Sequence, residues 1–174
     1  MKNLVSAVAF SALVLAATPA FAAPTGGRVE LLVGYDAVDA SIFKDNGVLY
    51  GVGAGYDVAV APSISLGADV EVSDSTMKED FGGFDVTAGR DLYAGARVSF
   101  PVSNAANLYV KGGYTNARVK AEGFDSDNLD GFRLGAGAQF TVAGKVYVGG
   151  EYRYSNYQDD VSRNQVALTL GTRF

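Results

Sequence analysis

Residues 145–155 read Lys-Val-Tyr-Val-Gly-Gly-Glu-Tyr-Arg-Tyr-Ser. Val146, Val148, Gly150, Tyr152 and Tyr154 fall on one side of this stretch, opposite Lys145, Tyr147, Gly149, Glu151, Arg153 and Ser155. The beat is two residues, the side-chain period of a strand and not of a helix. Residues 163–174 repeat it: Val166, Leu168, Leu170 and Phe174 oppose Arg163, Gln165, Ala167, Thr169, Gly171 and Arg173. Residues 64–73 do so again, with Ile64, Leu66, Ala68, Val70 and Val72 against Ser65, Gly67, Asp69, Glu71 and Ser73.

Working outward, further alternating runs are found at Arg28–Ala37, Val48–Val60, Val86–Phe100, Leu108–Val119 and Gly131–Val142. With the first three they predict an all-β, eight-stranded antiparallel up-and-down barrel. The runs are longer than strands of soluble sheets and match strands tilted across a bilayer. Face composition separates the two settings. The polar side carries the glycines Gly51, Gly53, Gly55, Gly67, Gly95, Gly113, Gly135, Gly137, Gly149 and Gly171. Small residues belong where a narrow barrel has little room, so that side is the lumen and the apolar side meets lipid. A soluble, lipocalin-like barrel would instead point bulky apolar residues inward.

This assignment places Glu30, Asp57, Asp69, Glu71 and Asp91 on the lumen side of the first four strands. Lys111, Arg133, Arg153, Arg163 and Arg173 lie mostly on the last four, with Arg97 and Glu151 as crossovers. Opposed charges in a tight interior are expected to pair and to block solute flow. Arg90 falls on the lipid side near the outer end of its run, which calls for a bulge there.

Lipid-facing rings are expected at the two interfaces. Phe100, Phe140 and Phe174 lie at one set of strand ends, Tyr35, Tyr50, Phe132, Tyr152 and Tyr154 towards the other, and Tyr56 falls deeper. The connections Ala61-Pro62-Ser63, Pro101–Asn107 and Ala143-Gly144 are short, whereas Val38–Gly47, Asp74–Asp85, Lys120–Asp130 and Asn156–Ser162 are mostly longer. Short turns face the periplasm and long loops the exterior. Met77, Phe81, Phe84 and Phe124 are the apolar candidates for external contacts in those loops.

The first 22 residues carry an address. Lys2 is a short basic region, Leu4–Ala17 an apolar one too short to span hydrocarbon, and Pro19-Ala20-Phe21-Ala22 a small-x-small cleavage site. A signal peptide over 1–22, cleaved after Ala22, leaves residues 23–174 as the barrel domain.

Composition excludes much chemistry. The 174 residues hold no His, no Cys and no Trp. That removes thiol catalysis, haem ligation, the usual zinc sites and every Ser-His-Asp arrangement. With 14 basic and 19 acidic residues the net charge is −5, and no basic block suits nucleic acid. Loss of Lys2 makes the balance 13 against 19, or −6. Gly51-Val-Gly-Ala-Gly55 is a strand stripe and not a nucleotide loop, because no helix pattern follows. Asp125-Ser-Asp-Asn-Leu-Asp-Gly131 approaches a calcium loop, but Leu129 stands in the fifth place and Ala136 where the closing Glu belongs. A solvated acidic loop is expected there. No catalytic residue, cofactor or metal ligand is assigned.

The whole stretch 23–174 resembles the small eight-stranded outer-membrane β-barrel proteins: OmpA-like transmembrane domains, OmpX/Ail proteins and opacity-type surface antigens. The most specific piece is the end, Val166-Ala-Leu-Thr-Leu-Gly-Thr-Arg-Phe174. It is similar to the C-terminal β-signal read by the barrel-assembly machinery, carried by Val166, Leu168, Leu170 and Phe174. That family often has a bulky residue two positions before the terminal Phe, where this chain has Thr172. The resemblance implies an outer-membrane location, lipids and lipopolysaccharide as surroundings, and a structural or surface role. Binding through external loops and a narrow porin-like channel are its alternatives. The enzymes of such barrels, lipid A deacylases and omptin-type proteases, rely on a catalytic His that this chain lacks. The peptidoglycan-binding domain of full OmpA proteins is not expected after Phe174.

Overall fold

The computed structural model describes residues 21–40, 43–80, 85–121, 127–158 and 161–174. Nine strand segments follow one another: β1 Gly26–Ala40, β2 Phe43–Ala61, β3 Ile64–Ser75, β4 Lys78–Asp80, β5 Asp85–Pro101, β6 Ala106–Ala121, β7 Asp127–Ala143, β8 Val146–Tyr157 and β9 Ser162–Arg173. They form one antiparallel sheet in the order β3-β2-β1-β9-β8-β7-β6-β5-β4, and pairing of β3 with β5 closes it. β4 takes over from β3 along β5, Lys78 lying opposite Thr87 beyond the Ser73–Asp91 pair. Nine segments therefore make an eight-stranded closed barrel. Closure removes every long free edge, which a membrane-embedded sheet cannot leave unpaired.

The wall is inside out compared with a soluble barrel. Val29, Leu31 and Val33 of β1, Val70 and Val72 of β3, and Val166, Leu168 and Leu170 of β9 are exposed on the outer surface. The alternate residues, among them Arg28, Glu30, Asp69, Glu71, Gln165 and Thr169, are buried inside. An apolar skin around the whole circumference has no stable place in water and is matched by hydrocarbon.

At one end the turns are tight: Pro62-Ser63, Val102–Ala105 and Gly144-Lys145. Gly144 has φ 52° and open space around its Cβ position, so the left-handed backbone and not crowding demands glycine in this hairpin. At the other end the strands outrun the apolar pattern. β1 and β2 stay paired up to Ala40–Phe43, so Val38–Gly47 is mostly a hairpin arm and not a loop. Likewise β7 begins at Asp127, inside the stretch expected as an acidic loop, and β8 reaches Tyr157. Hydropathy alternation ends where both faces meet water, while the backbone ladder continues. The ladder shifts register between Ala88 and Asp91, the irregularity expected beside Arg90, with Arg90 still exposed and Asp91 buried.

The rings form two belts. Tyr35, Tyr50, Phe132, Tyr152 and Tyr154 are exposed towards the outer end, joined by Tyr114. Tyr114 and Asn116 both donate hydrogen bonds to Asp130, and the Tyr152 hydroxyl donates to Asn164 at 2.7 Å. Tyr56 does not lie deep in the span. It pairs with Gly27, whose N–H and C=O are both bonded to Phe174, so it belongs to the periplasmic belt.

Candidate functional site

Of the twelve charges placed in the lumen by alternation, Glu30, Asp57, Asp69, Glu71, Asp91, Arg97, Lys111, Arg133, Glu151, Arg153 and Arg163 are buried there and Arg173 is half-buried at its rim, and each is in an ion pair. Alternation along each strand puts them inside, and the register sets their heights. Three layers result. Nearest the periplasm, Arg28 pairs with Asp57 and Asp69 and approaches Glu30 at 3.6 Å, Arg97 binds Asp69 at 2.8 Å, and Arg173 binds Asp57 at 2.7 Å. Glu30 also accepts hydrogen bonds from Gln139 and Tyr147, each at 2.8 Å. In the middle, Glu71 pairs with Arg153 and lies 3.4 Å from Lys111, while Glu151 lies 2.8 Å from Lys111 and 2.9 Å from Arg153. Towards the exterior, Asp91 is bound by Arg133, by Arg163 at 3.1 Å, by Tyr157 at 2.8 Å and by Thr115 at 2.6 Å. Arg163 also clasps Asp36.

The paired bases are Arg28, Arg97, Lys111, Arg133, Arg153, Arg163 and Arg173; the acids are Glu30, Asp36, Asp57, Asp69, Glu71, Asp91 and Glu151. Among the described residues the network is thus seven against seven and neutral. Neutrality matters because an uncompensated charge in a desolvated lumen costs several kcal/mol.

Tyrosines and glycines hold this network in place. Tyr109 faces Gly137 across the β6–β7 ladder, and Tyr147 faces Gly171 across β8–β9. A Cβ on either glycine would collide with the opposite ring. Each ring then carries a cation: Arg97 sits 4.1 Å from the Tyr109 centroid and Arg173 5.3 Å from that of Tyr147. Tyr93 similarly meets Lys111 at 5.1 Å and Arg133 at 5.5 Å. The lumen glycines therefore make room for rings and guanidinium groups.

Arg28, Asp36, Gln139 and the four lumen tyrosines Tyr93, Tyr109, Tyr147 and Tyr157 are absent from the twelve lumen charges read from the sequence, although Tyr147 falls on the polar side there. Their signal was parity: each lies an even number of positions from a named lumen charge on its strand or on a lumen glycine's face. Tyrosine was missed because it also suits the lipid interface. Met77 is buried and not an exposed loop residue. Its side chain occupies the space beside Gly47, and with buried Leu49 it caps the outer lumen. Phe81, Phe84 and Phe124 lie outside the described residues. Val166, Leu168 and Leu170 point outward, and Phe174 is bonded back to Gly27 on β1. Among the described residues no three His, Cys, Asp or Glu side chains are grouped to hold a metal ion.

A family profile for the outer membrane protein β-barrel domain matches residues 7–174. The chain belongs to that family. Its fold recurs in solved outer-membrane barrels. Neisserial surface protein A aligns over 86% of this chain and 98% of its own, with TM-score 0.68 and 15% identity. The attachment invasion locus protein Ail of Yersinia pestis, in complex with the heparin analogue sucrose octasulfate, aligns over 86% and 99%, with TM-score 0.64 and 20% identity. The N-terminal β-barrel domain of Pseudomonas aeruginosa OprF aligns over 87% and 100%, with TM-score 0.56 and 13% identity. No curated protein matches the chain in sequence. Family membership makes this an outer-membrane barrel, and the three-layered lumen is the interior of that family fold in this chain.

Proposed function

We propose that this member of the family is a structural surface protein of the Gram-negative outer membrane, exported by a signal peptide cleaved after Ala22, whose lumen is closed to solute. The observation that carries the proposal is the network, neutral at seven against seven among the described residues, whose side chains cross the lumen at three heights. Passage would require separating buried pairs, each break costing about 3–5 kcal/mol. The outer surface supplies an apolar belt for lipid, bounded by tyrosines suited to the lipopolysaccharide headgroup region. The alternating end Val166–Phe174 suits recognition by the barrel-assembly machinery. No cofactor, metal, nucleic acid or catalytic step enters this role.

Planar-bilayer recordings of the purified barrel test it. Absence of resolved conductance steps is the expected result; steady open-channel current would replace the closed-lumen role with the channel alternative. A second role, surface binding, is favoured by the β1–β2 arm, which stays paired to Ala40–Phe43 beyond Tyr35 and Tyr50 and so projects from the membrane. Exchanging both the arm, residues 38–47, and residues 78–85, which contain Phe81 and Phe84, should abolish cell-surface binding if that role holds and leave it unchanged if it does not.

A further inference from the structure

Upstream of β1, the chain does not hang free. The Ala23 N–H donates to the Pro62 carbonyl at 3.0 Å, on the turn between β2 and β3. The Ser65 hydroxyl donates to the Pro24 carbonyl. Ser65 lies on the lumen side of β3 and is fully buried, although it stands at the periplasmic end of its strand. To reach it from Gly26, residues 23–25 must cross the end of β2, because β2 lies between β1 and β3. Gly26, at φ 97°, makes the bend that turns the chain from this crossing into the wall, and a Cβ there would strike the Phe174 carbonyl. Gly27 then exchanges two hydrogen bonds with Phe174, 3.0 and 2.9 Å, and lies beneath its ring. One short segment thus joins the β2–β3 turn, the rim of the lumen and Phe174, the residue that follows β9.

The deciding atom is Ala23 N. It is the nitrogen of the Ala22–Ala23 peptide bond, the bond assigned to signal-peptide cleavage under the function proposed above, on which this inference rests. Hydrolysis adds water across that bond, leaving a carboxylate on Ala22 and an α-ammonium on Ala23. A single amide donor becomes a charged group with three donors, placed against the Pro62 carbonyl, and a charged donor makes the stronger hydrogen bond. We propose that cleavage creates a working part of the fold: the α-ammonium of Ala23 docks on Pro62 and latches residues 23–27 across the periplasmic rim, pinning the β1–β9 seam. A docked segment cannot also lie extended in a peptidase cleft, so cleavage acts on the undocked segment and the new α-ammonium then holds the docked position.

Protein extracted from outer membranes tests this by its intact mass and by the rate at which its α-amine undergoes reductive methylation, folded in micelles and unfolded in denaturant. Ala23 as first residue, with labelling about tenfold slower in the folded barrel and protection lost in Ser65→Ala, is expected. Ala23 as first residue with equal folded and unfolded rates overturns the latch and leaves the signal-peptide assignment standing. A different first residue overturns both. Protection that persists in Ser65→Ala while Gly26→Ala removes it still supports the latch, held then by Pro62 and the bend alone; protection untouched by both variants overturns it.

Discussion

Tyr109 and Gly137 oppose each other across the β6–β7 ladder, and the Cβ that Gly137 lacks would stand 2.6 Å from the Tyr109 ring carbon and hydroxyl. The ring cannot retreat. Its hydroxyl donates to Glu151 at 2.7 Å and its face carries Arg97. Gly137→Ala should therefore overpack the lumen and cost about 1–3 kcal/mol. Gly53→Ala is the matched control on the same face, since its nearest neighbour would be 3.6 Å away. It should be neutral or stabilise by up to about 1 kcal/mol through the unfolded chain. Urea unfolding in phospholipid vesicles compares them, and equal midpoints for both variants would contradict this role for the glycines.

Glu71 is the acid shared by most cations: Arg153, Lys111 and Arg133 all approach it. Glu71→Ala leaves the network of described residues with seven bases against six acids and should cost about 3–5 kcal/mol. The double variant Glu71→Leu/Arg153→Met removes one charge of each sign and keeps the volume filled. It should recover most of that loss, because a buried pair replaced by apolar groups is often nearly neutral. Unfolding free energies of the two variants decide. A double variant as unstable as the single one would show that packing, not charge balance, sets the cost.

How far the sequence carried this depended on where alternation is informative. Inside the bilayer the two faces meet opposite environments, so the period of two in residues 64–73, 145–155 and 163–174 was enough to separate Leu168 from Gln165 and Glu71 from Val72. Above the bilayer both faces meet water, and the paired arm from Val38 to Gly47 looked like a loop. Residue type misled in two further places. Met77 is apolar within a polar stretch and suggested an exposed contact, yet it fills the lumen mouth beside Gly47. Lumen tyrosines share their chemistry with interfacial ones, and only their parity with the lumen charges separates the two sets, while the register adds that Tyr109 faces Gly137 and Tyr147 faces Gly171. Which acid meets which base was likewise beyond the sequence, because it depends on the stagger between strands.

Leu168 is 64% exposed at the centre of β9, flanked across the ladders by Val33 and Gly150. If the outer surface lies in hydrocarbon, Leu168→Arg should cost about 2–4 kcal/mol in vesicles, as charged groups do near the bilayer midplane. The same change in a soluble protein's exposed position would be within about 0.5 kcal/mol. Unfolding in vesicles of defined thickness measures the difference. A neutral outcome would place β9 outside the hydrocarbon.

Phe174 separates stability from assembly. Its ring is 70% exposed, so replacing it removes little buried area, and the two hydrogen bonds to Gly27 use its backbone and survive in Phe174→Ala. Lipid contacts are lost in the folded barrel but are largely available to the unfolded chain on the bilayer as well. The purified variant should therefore unfold within about 1 kcal/mol of the parent, as exposed substitutions usually do. If the ring is instead what the assembly machinery reads, the amount of heat-resistant barrel in outer membranes should fall several-fold while the exported pool in the periplasm rises. Both measurements are needed. Reduced barrel with unchanged unfolding energy assigns Phe174 to recognition, whereas a parallel loss of stability would assign it to holding the β1–β9 seam, and unchanged yield would remove it from the assembly signal.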